Sequence, residues 1–144
     1  MNRNEFEALR NLPDKRIAED IRFEVKQPTR PLMTFEGVVV ENSLNYDVVL
    51  NGTYNPDIPS VKFNFVLRGI GPICRVCMNG KIHKPAGRTH KHDLRKDSDP
   101  ANNLPTAVER PDLVGKSAKE VWDILLHQAN IQHTGAFVDP DTTP

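Results

Sequence analysis

Four successive segments of strand-type sequence constrain the fold of this 144-residue chain more than any other feature. Apolar and polar residues alternate over residues 21–26 and 61–68, which is typical of strands with one buried face. Between them, residues 33–41 and 46–50 are predicted to form two further strands, the second of which ends at Asn51-Gly52. Their short connections favour antiparallel pairing, so we expect a meander with one solvent-facing side.

A helix is predicted at each end of the chain. Asn4 can cap a short N-terminal helix that ends before Pro13. Ser117 and Glu120 have the spacing of a capping box, and an apolar stripe at helical spacing follows them: Ala118, Val121, Trp122, Leu125, Leu126 and Ala129. We therefore predict a single α+β domain over residues 1–144. It has an antiparallel sheet of five to seven strands, an N-terminal helix and a C-terminal amphipathic helix packed on the sheet. Residues 137–144 are predicted to form a flexible tail.

Between the fourth predicted strand and the C-terminal helix, apolar and polar residues follow a less regular pattern. Residues 73–77 and 81–84 flank Asn79-Gly80, a sequence that favours a tight hairpin. Residues 89–94 form a further candidate strand, and residues 96–116 are a polar segment with three prolines, which we expect to form a long loop.

No apolar segment approaches the roughly 20 residues that a membrane-spanning helix needs, and the charged residues 1–10 lack the apolar centre of a signal peptide. We therefore expect a cytoplasmic protein without a membrane partner. A disulfide between Cys74 and Cys77 would close a very short loop and constrain little. The two thiols are expected to be reduced or to bind a metal.

The net charge of zero conceals a strong segregation of charge. Residues 68–96 contain eight Lys or Arg and one Asp, a net charge of +7, whereas the remaining residues contain 11 bases and 18 acids. Such a segment creates a local positive field. The candidate cations for nucleic-acid binding are Arg75, Lys81, Lys84, Arg88, Lys91 and Arg95. The alternative is a solvated loop balanced by the acidic remainder of the same chain.

The same stretch holds candidate zinc ligands. Cys74 and Cys77 form a C-x-x-C pair, and His90 and His92 lie two residues apart. Positions i and i+2 of a strand share a face, so a Cys2His2 tetrahedron of Cys74, Cys77, His90 and His92 is chemically reasonable for zinc. However, two cysteines three apart in a regular strand face opposite sides. Both thiols are then simply buried apolar groups.

The histidines also suggest catalysis without a metal. His83, His90 and His92 lie among cations, as in sites that cleave phosphodiesters by general acid–base catalysis. Three solvated histidines on a polar hairpin are the alternative. No aromatic residue lies between Val66 and Val121, so base stacking is not expected there and contacts would be to phosphates.

The C-terminal half of the chain contains, in order, Asn79-Gly80, His83, Pro85, Gly87, residues 89–92 and the predicted helix over residues 117–130. This order resembles that of small bacterial mobile-element proteins, including TumE-type toxin-like proteins with a His-x-His strand. It implies a toxin–antitoxin function.

Three functions remain open from the sequence. The first is an RNA-associated protein, including a toxin-type ribonuclease. The second is a zinc-stabilised protein-interaction module. The third is an inhibitor or antitoxin-like protein that binds a protein partner without metal. The segregation of charge favours contact with RNA or another polyanion.

Overall fold

The structure is a computed structural model that describes residues 3–25, 32–57, 60–78, 90–93, 107–109, 113 and 115–140. Within these residues the chain forms two α-helices, α1 (Arg3–Asn11) and α2 (Ala118–Gln128). The strands of the same residues are β1 (Lys15–Ile17), β2 (Ile21–Arg22), β3 (Glu24–Val25), β4 (Met33–Val40), β5 (Val48–Asn55), β6 (Ser60–Leu67), β7 (Gly71–Met78), β8 (His90–Asp93), β9 (Ala107–Glu109), β10 (Ile131–His133) and β11 (Phe137–Val138). The predicted α+β class, with a helix near each end, is confirmed.

The main sheet is an antiparallel meander of seven strands in the order β3-β4-β5-β6-β7-β8-β9. Every strand pairs with the next one along the chain, as the short connections of the first four strands predict. Two short parallel pairs, β1 with β10 and β2 with β11, join the N-terminal part of the chain to the C-terminal part.

The core lies between the apolar face of the sheet and the helices. Trp122 of α2 is fully buried, and its ring centroid lies 5.3 Å from that of Phe63 on β6. Phe6 and Leu9 bury the apolar side of α1 in the same cluster. The amphipathic stripe of α2 is therefore a core stripe, as its helical spacing predicts.

Lys15 closes the C-terminal end of α1. Its Nζ donates to the carbonyl oxygens of Leu9 at 2.7 Å, Arg10 at 2.5 Å and Leu12 at 3.0 Å. The Leu9 carbonyl also accepts from the Leu12 N–H at 3.3 Å. The ammonium lies at the negative end of the helix dipole, where a positive charge is favourable. Burial lowers the pKa of Lys15 to about 8, although Asp14 acts in the opposite direction.

Strand β5 does not end at Asn51-Gly52 as predicted. Its pairing with β6 is continuous from Val48 to Asn55. A Cβ on Gly52 would lie 2.2 Å from Cε1 of Phe35, so the glycine makes room for that ring. The Asn-Gly sequence serves packing here and not a turn.

The predicted tight hairpin between residues 73–77 and 81–84 falls largely outside the described part of the chain and stays a prediction. Over residues 74–77 the two edges of β7 are occupied by β6 and β8. Residues 79–89 themselves lie outside the described part of the chain. The predicted strand over residues 89–94 is present as β8, and the predicted loop over residues 96–116 contains the short strand β9.

The predicted tail at residues 137–144 is ordered in its first part. Phe137 and Val138 form β11, and the Phe137 ring stacks on Trp122 with a centroid distance of 5.3 Å and an interplanar angle of 22°. Apolar burial against the core orders this segment. Residues 141–144 lie outside the described residues.

Candidate functional site

The two faces of β6 and β7 differ sharply in chemistry. Phe63, Phe65, Cys74 and Val76 belong to the hydrophobic core. On the opposite face, Lys62 pairs with Cys77, and Asn64 pairs with Arg75. We call the face that carries Lys62, Asn64, Arg75 and Cys77 the outer face, because it lies away from the core.

Strand β8 extends the outer face. His92 is the register partner of Arg75, and His90 is the partner of Cys77. Directly paired residues of an antiparallel sheet lie on one face, so the backbone places both histidine positions on the outer face. Lys91, opposite Val76, lies on the other face. The backbone of β8 therefore has the i, i+2 arrangement expected for a His-x-His strand.

The two cysteines lie on opposite faces of β7. Cys74 is 8% exposed and belongs to the core, whereas Cys77 is 6% exposed and lies on the outer face beside Lys62. Neither forms a disulfide. A zinc ion needs each sulfur at about 2.3 Å, so this strand does not bring both thiols to one ion. Cys74 therefore does not belong with the other three expected zinc ligands.

Cys77 shares the outer face with the positions of His90 and His92, but its surroundings are cationic. Burial raises the pKa of the Cys77 thiol, and the nearby Arg75 and Lys62 oppose that shift. A high pKa makes the thiol a weak nucleophile, and two adjacent cations disfavour a divalent cation. Among the residues that the structure describes, no group of three or more potential metal ligands is found.

Two polar atoms of the outer face are buried without a hydrogen-bond partner in the described part of the chain. They are Oδ1 of Asn64 and Nε of Arg75, on directly paired residues. Asn51, the partner of Asn64 on β5, does have a hydrogen-bond partner, since its Oδ1 accepts from the Gly37 N–H at 2.8 Å. An unsatisfied buried polar atom costs about 1–3 kcal/mol. Both atoms are closed to solvent, so a ligand that satisfies them would recover that free energy once the Asn64 and Arg75 side chains turn toward it.

Several predicted site residues lie outside the described part of the chain: His83, Lys81, Lys84, Arg88 and Arg95. Their roles remain predictions. Sequence reasoning missed Lys62 and Asn64, although the alternation along β6 placed both on its polar face. Only the register between β6 and β7 brings them beside Arg75 and Cys77.

A cavity of about 50 Å³ lies between the helices and the sheet, on the core side. Its lining is almost entirely apolar and includes Phe65, Cys74 and Leu125. A cavity that holds benzene measures about 150 Å³, so this one is a packing gap and not a ligand site. The outer face is the better candidate.

Comparisons of the chain with protein-family models, with curated proteins and with solved structures found no match. None of the helices in the described residues has the length and apolar character to cross a membrane.

Proposed function

We propose that this chain binds a phosphate-bearing polyanion, RNA above all, on the outer face of its sheet. The observation that supports this most directly is the buried Nε of Arg75, a charged donor without an acceptor among the described residues. Guanidinium groups bind phosphate oxygens through strong charge-assisted hydrogen bonds. Arg75 therefore has the chemistry that a phosphate group would satisfy.

The charges around Arg75 support the same ligand. Lys62 lies next to Asn64 on the outer face, and Arg75 belongs to the segment of net charge +7. Cations grouped on one face neutralise phosphates and release counterions, which makes binding strong at low salt. Lys81, Lys84, Arg88 and Arg95 belong to the same segment and would extend this field. Lys91 belongs to the segment too, but its position lies on the other face of β8.

The proposal includes cleavage of the bound RNA, as in a toxin-type ribonuclease. One neutral histidine at position 90 or 92 takes the proton of a ribose 2′-hydroxyl, and the 2′-oxygen attacks the adjacent phosphorus. The other, protonated, histidine gives its proton to the departing 5′-oxygen. The products are a 2′,3′-cyclic phosphate and a free 5′-hydroxyl, and Arg75 stabilises the charge on the phosphate. His83 is the third candidate for these proton transfers.

Binding is tested with a mixed-sequence RNA pool at about 50 mM salt. Arg75→Ala should weaken binding and lower the slope of log K against log salt by about one unit, because one phosphate contact is lost. Arg22→Ala is the matched control, since Arg22 is an exposed strand arginine outside the outer face. The control should bind as the wild type does, and thermal melts should show both variants folded. Absence of wild-type binding contradicts the proposal.

Cleavage is tested separately from binding. His90→Ala should abolish the appearance of 2′,3′-cyclic phosphate ends while RNA binding persists. Equal cleavage by the variant and the wild type would exclude this catalytic role.

A zinc-stabilised interaction module is the second candidate, since Cys77 and the positions of His90 and His92 share one face. Metal analysis of protein purified under reducing conditions separates the two. A zinc module carries about one equivalent that Cys77→Ser loses, whereas the polyanion-binding face needs none.

A further inference from the structure

The two unsatisfied atoms on the outer face are of opposite type. Nε of Arg75 is a donor, and Oδ1 of Asn64 is an acceptor. An ionised phosphodiester offers acceptors only, so it can satisfy Arg75 but not Asn64. A ligand that satisfies both must carry a hydrogen-bond donor close to its phosphate.

The ribose of RNA carries such a donor. We infer that the polyanion is recognised as a ribonucleotide, with Asn64 Oδ1 accepting a hydrogen bond from a ribose 2′-hydroxyl while Arg75 binds a phosphate. This role of Asn64 rests on the proposed function, because that function supplies the phosphate. The 2′-hydroxyl is the one donor on the sugar–phosphate chain of RNA that DNA lacks. Asn64 thereby becomes a residue that discriminates RNA from DNA.

The register supports placing both contacts on one nucleotide chain. Asn64 and Arg75 are direct partners on neighbouring antiparallel strands, and such pairs have Cβ atoms about 4.5–5.5 Å apart. A 2′-hydroxyl and the phosphate that follows it on the same ribose are separated by a comparable short distance along the RNA backbone. Lys62 lies two residues from Asn64 on the same face of β6, where it can bind the next phosphate.

The test compares three labelled 12-mers of one mixed sequence: RNA, its fully 2′-fluoro form, and DNA. The 2′-fluoro form has the sugar pucker of RNA but no 2′ donor, so it isolates the proposed contact. The wild type should bind RNA about fivefold more tightly than the 2′-fluoro form, the effect of one hydrogen bond. Binding is measured by anisotropy, in a His90→Ala background for every variant if RNA is cleaved during the measurement.

Three variants separate the contributions. Asn64→Ala should bring the ratio of the two dissociation constants to about one and leave DNA binding unchanged. Asn64→Asp keeps the acceptor and adds a negative charge, so both ligands should bind more weakly while the ratio persists. Arg75→Ala should weaken both ligands by the same factor. Thermal melts identify any variant that fails to fold, and Asn64→Asp has almost the volume of the native residue.

The outcomes distinguish this inference from the proposed function. Equal wild-type binding of RNA and 2′-fluoro RNA overturns the role of Asn64 while binding to phosphates stands. The same holds if Asn64→Ala weakens both ligands equally, which would mean that Asn64 and Arg75 satisfy one another. A sulfated glycan that competes as strongly as RNA also overturns recognition of ribose. No salt-dependent binding of any polyanion overturns the proposed function itself.

Discussion

The imidazole of His133 lies between α2, β10 and the segment before β2. Its Nδ1 accepts the indole N–H of Trp122 at 3.3 Å, and its Nε2 lies 2.8 Å from the carbonyl oxygen of Glu19. A neutral imidazole has one donor and one acceptor, so these contacts require the proton on Nε2, which donates to Glu19. The neutral ring thereby satisfies the only polar group in the side chain of a fully buried tryptophan.

Loss of this acceptor should destabilise the fold. His133→Leu leaves the N–H of the fully buried Trp122 without its partner, and an unsatisfied buried polar group costs about 1–3 kcal/mol. We expect a loss of that size in the free energy of unfolding, measured by denaturant unfolding with the fluorescence of Trp122, the single tryptophan of the chain.

The matched variant is His133→Asn, whose side-chain oxygen can accept near the position of Nδ1. It should lose less stability than His133→Leu. His127→Ala, which removes an exposed histidine of α2, should be as stable as the wild type. Equal losses in His133→Asn and His133→Leu would show that the acceptor for Trp122 does not limit stability.

At the scale of elements, α2 has a capping box at its N-terminus and a buried apolar stripe along one side. Ser117 Oγ accepts from the Glu120 N–H at 3.2 Å, and the Ser117 N–H donates to Glu120 Oε1 at 3.1 Å. The hydrogen bond that the carboxylate accepts from the Ser117 N–H holds the pKa of Glu120 below its ordinary value. The stripe that follows buries Ala118, Val121, Trp122 and Leu125 against the sheet. The cap sets where the helix begins, and burial of the stripe supplies most of its stability.

Two substitutions should separate the contribution of the capping box to stability from that of the buried stripe. Trp122→Ala should lower the free energy of unfolding by about 3–5 kcal/mol, through lost burial and a new cavity. Ser117→Ala should lower it by about 1 kcal/mol, because one backbone N–H loses its partner. Denaturant unfolding measures both, with Asp123→Ala, on the exposed side of α2, as the near-neutral control. A Trp122→Ala cost below that of Ser117→Ala would show that α2 is peripheral.

At the scale of the whole molecule, the two parallel strand pairs close the fold by joining segments more than 100 residues apart. The N–H of Ile21 donates to the carbonyl of Ala136 at 2.8 Å, and the N–H of Thr134 donates to the carbonyl of Ile17 at 2.9 Å. Ile17 and Ile21 are both fully buried beside this junction. Gly135 lies within it, where a Cβ would be 2.5 Å from the carbonyl oxygen of Glu19.

Gly135→Ala should therefore force these backbones apart. We expect a loss of about 1–3 kcal/mol in the free energy of unfolding, as for other overpacked sites, measured by denaturant unfolding. Ala136→Ser, at the exposed neighbouring position, should change it by less than about 0.5 kcal/mol. If Gly135→Ala is as stable as this control, the close approach at Glu19 does not limit stability.

The sequence by itself determined the α+β class, the capping box of α2 and the alternation of β6, because each depends on residues two to four positions apart. It also placed His90 and His92 on one face of a strand. Local geometry is sufficient for these features.

Only the tertiary structure decided how the elements combine. The Asn-Gly sequence at Asn51 predicts a turn, but the continuous ladder with β6 and the ring of Phe35 make it strand. Phe137 is ordered by Trp122, which is distant in sequence. The candidate site depends on register in the same way, since Asn64 adjoins Arg75 only once β6 and β7 pair. A shift of one residue would exchange the two faces of a strand, and pairing that is fixed by burial across the whole sheet cannot be derived from either strand alone.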